Sequence, residues 1–244
     1  MVCMPRLLIC LALLCPCASS LAAPAQVLKV GIYENAPKVF SNAEGKPDGI
    51  MVDLLRAIAE AENWTLEFVP CEWEQCLRQV QDGGIHLLPD VAFSEERNRV
   101  LEFHQTPVLH DWSQVYHHPG VAIVSITDLG GKRLAILRGS IQERYFAGLD
   151  ADFGVRPTLV PVASIEEGFD LVRQRKADAA VANNYAGDMH ATRYGLVETP
   201  IAFQPVRLFF ASAKGQHRDA LAAIDRDLQR WQRDPGSAYF TILQ

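Results

Sequence analysis

The run LLPDVAFSEER, from Leu87 to Arg97, sets an acid inside an apolar, strand-like stretch and an arginine on the turn that follows. A guanidinium there offers a planar fork of donors, and a carboxylate at Asp90 can cap locally, pair with a cation or face a ligand. Arg97 can equally close a surface ion pair with Glu95 or Glu96, and Asp90 can pair with Arg97 itself. Motifs of catalysis are missing: there is no G-x-S-x-G, phosphate loop, dinucleotide glycine fingerprint or H-E-x-x-H. His117 and His118 are adjacent, so on a strand they point to opposite faces and cannot chelate one metal as a pair. Neither a metal nor a cofactor is expected.

Cysteine usage bears on the compartment. Residues 1–25, MVCMPRLLICLALLCPCASSLAAPA, carry an early cation at Arg6, an apolar run from Leu7 to Leu14 and then small residues. This is the pattern of a signal peptide, with cleavage points after Ala22, Ala23 or Ala25, and the run is too short to span a bilayer. An N-terminal anchor or a core helix is the competing reading. Removal takes four of the six cysteines and leaves Cys71 and Cys76, an even pair in an oxidising compartment. If Glu72 caps the helix that follows, these two occupy N′ and N4, positions at which side chains meet. A disulfide fits, and so do two small buried hydrophobes.

The 244 residues, 49% of them hydrophobic, can bury a full core in one large domain or two small lobes. The formal charge is −6, and −7 without Arg6, which argues against a nucleic-acid partner because such binding rests on Lys and Arg neutralising phosphates. A secreted, soluble mature chain is the expectation.

The elements that must position Asp90 and Arg97 follow a simple order. VLKVGIY reads as a strand, GIMVDLLRAIAEAENW as a helix with Met51, Leu54, Leu55 and Ile58 on one face, and TLEFVP as a second strand. EWEQCLRQVQDG is a helix stopped at Asp82, Gly83 and Gly84, and IHLLPDVAF is the next strand, completing a parallel βαβαβ unit. After FHQTPVLHDWSQVYHHPG, an extended crossing segment, the pattern repeats through KRLAILRGS, TLVPV, SIEEGFDLVRQRKA and DAAVANN. The chain returns through PVRLFFASAK to a helix with Leu221, Ile224, Leu228 and Trp231 on one face. Two such units imply two lobes with a cleft between them, where ligands of α/β folds bind at the ends of strands.

The motifs LKVGIYENAPKVF, EGKPDGIMVDLLRAIA, FVPCEWEQCLRQVQDGGIHLLPDVAFSEERNRVLEFHQTPV, SITDLGGKRLAILRGS and ADAAVANN together resemble the bacterial extracellular solute-binding proteins of family 3, over essentially the whole mature chain. The resemblance implies a two-lobed α/β fold of the type II periplasmic binding protein kind, each lobe a mixed, mainly parallel sheet flanked by helices. It implies a periplasmic location, a division into residues 26–109 plus 205–244 and residues 110–204, a monomer without chemistry of its own, and closure on a small polar, amino-acid-like solute. Arg97, three residues after Ser94, falls where the family's arginine holds a ligand carboxylate. Gly139 and Ser140 fall on the turn whose backbone N–H groups meet the same carboxylate, although a Gly-Ser turn is also an ordinary helix cap.

Departures from the family pattern bear on the ligand. Where an acid usually pairs with the ligand ammonium this chain has Asn183, which cannot neutralise a cation, and Asp90 stands where the family has Gly or another small residue. Either Asp90 supplies that negative charge from the other lobe, or the ligand carries no ammonium. Tyr33, Phe40, Trp112 and Tyr185 lie beside strand ends and can wall the cleft or pack in the core, and Asn35 lies in a ligand-contacting loop. A few relatives of this fold are enzymes, dehydratases of prephenate-like acids and lytic transglycosylases, for which Asp90 or Glu34 would be the acid. The motif flavour resembles sensor domains that precede kinases or cyclases, whereas the chain's end at AYFTILQ suits a free binding protein serving an ABC permease or a separate sensor.

Overall fold

Alternation buries Leu28, Val30 and Ile32 while Val27 and Lys29 face out, and so forms the first strand, β1 (Gln26–Ile32). The computed structural model describes residues 25–244; the expected signal segment of residues 1–25 lies, apart from Ala25, outside that range. A short hairpin, β2 (Phe40–Ser41) with β3 (Pro47–Asp48), leads into α1 (Ile50–Glu62), whose buried face carries Met51, Leu54, Leu55 and Ile58. β4 (Trp64–Pro70) returns parallel to β1, and α2 (Trp73–Gln81) precedes β5 (Leu88–Ala92), which is buried at every position. A parallel bridge from Val30 to Leu87 ties β1 to the entrance of β5. These elements make the expected first βαβαβ unit.

A short helix, α3 (Glu95–Val100), and β6 (Leu101–Phe103) precede the long strand β7 (Leu109–His117). The second unit runs through β8 (Arg133–Leu137), α4 (Ile141–Phe153), β9 (Thr158–Val162), α5 (Ile165–Arg173), β10 (Ala179–Asn183) and α6 (Asn184–His190). β11 (Val197–Ala213) then carries the chain back to α7 (Arg218–Trp231) and α8 (Ala238–Leu243). The larger sheet has the order β5-β11-β7-β10-β8-β9, with β6 on β11. β10, β8 and β9 are parallel, and β7 and β11 contribute the antiparallel pairs.

Burial separates the interior into bodies on either side of that crossing. Leu28, Leu54, Val91, Leu109, Leu208 and Leu228 share one core. Tyr116, Phe169 and Ala182 belong to a second cluster, and Val115, Phe146, Val181 and Ile201 to a third beside it. The chain is therefore a two-lobed α/β structure in which β7 and β11 lie side by side and run from one interior to the other. Their pairing shifts register between Phe203 and Val206, opposite Trp112, and Gln204 there has a left-handed backbone at φ 48°.

Cys71 and Cys76 do occupy N′ and N4 of α2, with Cα atoms 5.5 Å apart, a separation a disulfide spans.

Candidate functional site

The turn after β1 builds one wall of the cleft. Asn35 and Val39 exchange backbone hydrogen bonds, and the first N–H groups of α1, on Ile50 and Met51, donate to the carbonyls of Pro37 and Lys38. Gly49 makes this possible, with φ 114° and no room for a side chain, since a Cβ would lie 2.6 Å from the Lys38 oxygen. The Lys38 backbone is thus pinned to a helix N-terminus and its side chain turns inward, only 1% exposed. Nζ lies 2.6 Å from Asp111 Oδ2 and 3.0 Å from Asp90 Oδ1. The second approach is an ion pair outside hydrogen-bond geometry, leaving Asp90 Oδ1 without a donor.

Asp90 is held at the cost of backbone strain. Its φ of 60° is left-handed within a strand, a conformation that favours glycine, so the carboxylate is kept against a local penalty of about 1 kcal/mol or more. Oδ2 accepts from Asn35 Nδ2 at 2.7 Å and from Tyr33 Oη at 3.2 Å. Burial raises its pKa to about 6, with Asp111 adding to the rise and Lys38 opposing it. Burial likewise opposes the Lys38 ammonium, but Asp90 and Asp111 outweigh it and hold that pKa above the ordinary value.

The sign of the Asp90 effect is that of an acid whose folded pKa is raised. Its contribution to stability is complete below its unfolded value near 3.8 and is lost as pH rises through about 6. We expect the unfolding free energy of the wild type to fall by roughly 2–3 kcal/mol from this group between pH 4 and 7. Denaturant melts of wild type and Asp90→Asn across that range test it, with the steeper fall expected in the wild type. Equal slopes in the two proteins would refute the assignment.

Arg97 forms the opposite wall. Ser94 caps α3 by accepting from Arg97 N at 3.2 Å, which sends the guanidinium back under β5. Nη1 donates to Ala92 O at 3.0 Å, Nη2 reaches Gly139 O across the cleft at 3.4 Å, and the group lies 5.2 Å above the Trp73 ring. Burial, and then Arg144, lower its pKa to about 10, so it remains charged at neutral pH. Two of its five donors are spoken for. The indole Nε1 of Trp73 is a further buried donor without a partner.

A cavity of about 60 Å³ lies between the lobes, lined by Tyr33, Asn35, Lys38, Asp90 and Arg97 on the side of the first unit and by Asp111 of the crossing strand β7. Ile136, Ser140, Gln142, Ile165 and Asn183 line it from the second. Asn183 caps α6 through Oδ1 and donates from Nδ2 to Asn35 Oδ1 at 2.9 Å, one of several contacts between the lobes. Arg144 of α4 and Glu96 of α3 form another. Among the described residues no group of three or more His, Cys, Asp or Glu is placed to hold a metal ion, and no helix is long and apolar enough to cross a membrane.

Of the residues expected from sequence, Tyr33, Asn35, Asp90, Arg97, Ser140 and Asn183 converge on this cavity. Ser94 stands behind Arg97 as its helix cap. Gly139 does not offer the expected amide, because its N–H donates to Glu143 Oε2 at 2.7 Å and its carbonyl faces Arg97 instead. Trp112 is 45% exposed and outside the lining, since alternation along β7 turns Leu109, Asp111 and Ser113 inward and Trp112 outward. Glu34 is exposed and accepts from Ser41 N. Phe40 also lies outside the lining, and Tyr185 sets its ring 5.6 Å from Lys38 Nζ. Lys38, Asp111 and Trp73 were not anticipated as site residues.

The chain is similar in fold to known binding and sensor proteins. Residues 28–120 match the model of the bacterial extracellular solute-binding proteins, family 3. An ancestral arginine-binding protein bound to arginine is similar over 88% of this chain and 96% of its own, with a TM-score of 0.79 and 25% identity. A histidine kinase sensor domain with similarity to periplasmic binding proteins gives 0.78 at 24% identity, covering 90% and 94%. An ancestral amino acid-binding protein, a precursor of cyclohexadienyl dehydratase, gives 0.75 at 22% identity, covering 88% and 92%. No curated protein matches the sequence.

Proposed function

We propose that this chain is a periplasmic solute-binding protein that closes two lobes on a small polar, carboxylate-bearing solute of amino-acid size. The observation that carries the reading is Arg97, charged, buried and with free donors facing a cavity between the lobes, beside the unpartnered Trp73 N–H. Buried donors without acceptors are costly, and a carboxylate satisfies them together. We assign residues 26–109 with 205–244 to one lobe and 110–204 to the other, in keeping with the separate cores. Residues 1–25 act as the export signal in this reading.

A thermal-shift screen of amino acids, amines, dicarboxylates and aromatic acids tests the class, because a solute that binds only the folded state raises its melting temperature. Stabilisation by amines alone would overturn it. Delivery goes either to an ABC permease or to a membrane sensor, in line with the likeness to the substrate binding protein of an amino acid ABC transporter and to a histidine kinase sensor domain. Catalysis on a prephenate-like acid is the second reading, favoured by the likeness to the dehydratase precursor. Against it, Asp90 is tied to Lys38, Asn35 and Tyr33 rather than free to transfer a proton. Turnover of prephenate by the purified chain would decide for the enzyme.

Export predicts that Cys71 and Cys76 are joined. Thiol alkylation of the unfolded, non-reduced protein is expected to add no label at either position and two labels after reduction; labelling before reduction would refute the bond.

A further inference from the structure

The two halves of the cavity are built differently. Away from Arg97, the Lys38 ammonium sits between the Asp90 and Asp111 carboxylates, and all three side chains are buried. Asn35 and Tyr33 hold the remaining Asp90 oxygen, and the Tyr185 ring lies over Nζ. From the second lobe this region is faced by Asn183, a neutral group engaged with Asn35. The acids that could receive a ligand ammonium are therefore already engaged by an ammonium that belongs to the protein.

We propose that Lys38 determines the specificity of the cleft and fixes its ligand as a small carboxylate without an α-ammonium group, a 2-oxo or 2-hydroxy acid. The inference rests on the carboxylate reading above. An α-ammonium brought to either acid meets Lys38 within the same shell, and like charges repel far more strongly in a buried site than in water. Displacing Lys38 instead would strip a buried ammonium of both its partners. A 2-oxo or 2-hydroxyl oxygen accepts from Lys38, Asn35 or Asn183 at no such cost.

Calorimetry on the purified chain with matched probes tests this: glycolate against glycine, pyruvate and L-lactate against L-alanine, 2-oxoisovalerate against L-valine, and 2-oxoglutarate against L-glutamate. The oxo or hydroxy member of at least one pair is expected to bind tenfold or more tightly than its amino acid. An amino acid that binds as tightly as its partner, or more so, overturns the inference and leaves the carboxylate reading standing. Binding of neither member of any pair refutes the carboxylate reading, and the inference with it. In Lys38→Met combined with Asp111→Asn, which removes one charge of each sign, the preference is expected to fall at least tenfold; an unchanged ratio would deny Lys38 its role.

Discussion

Arg97→Ala is expected to lose at least 100-fold in affinity for any carboxylate that the wild-type chain binds. Truncating one partner of a buried, hydrogen-bonded charge pair costs about 2–5 kcal/mol, and 100-fold corresponds to about 2.7 kcal/mol. Arg97→Lys should rescue little, because one ammonium cannot reproduce a planar fork that spans Ala92 O, Gly139 O and a ligand at once. Trp73→Phe keeps the ring under the guanidinium but deletes the unpartnered N–H, and should cost about tenfold, in line with one hydrogen bond of about 1–1.5 kcal/mol. Calorimetry on the three variants reads these losses directly. Wild-type affinity in Arg97→Ala would move the ligand elsewhere in the molecule.

Lys38→Met should destabilise the fold by about 3–5 kcal/mol, since it leaves two buried carboxylates facing each other without their shared cation. For a chain of this size that corresponds to a drop in melting temperature of about 10 °C. Adding Asp111→Asn should recover most of the loss by removing one of the stranded charges. The deficit of the single variant should also shrink at pH 5, where a proton can settle on the remaining pair. Melts of equal temperature for wild type and Lys38→Met would show that the ion cluster contributes nothing to the folded state.

The sequence made Arg97 readable because its cue is local: a hydroxyl-x-x-arginine turn directly after an apolar strand. Lys38 had no such cue. Its partners lie 52 and 73 positions further on, and a lysine between Pro37 and Val39 looks like any surface residue until Gly49 and the start of α1 fix its backbone. Asp111 was within reach, since it shares the inward face of β7 with Leu109 and Ser113, and the same alternation turns Trp112 outward. The full length of β11 was hidden by Pro200 and Pro205, residues that normally exclude a central strand. Both fall where the pairing with β7 shifts register, so neither removes a ladder bond that its partner needs. The strained φ of Asp90 is a tertiary fact, and only its departure from the family's small residue hinted at it.

The two strands that cross between the lobes carry a mechanical consequence. β7 and β11 form a two-ply leaf whose pairing shifts at two points, between Glu198 and Ala202 and at the bulge of Gln204 and Pro205 opposite Trp112. Such a leaf flexes across its face and resists shear in its own plane, because in-plane sliding would break its cross-strand bonds while bending does not. Two lobes joined by such a leaf have one easy direction of travel, like a book on its spine, and the Arg144–Glu96 ion pair is one contact that opening in that direction would have to break.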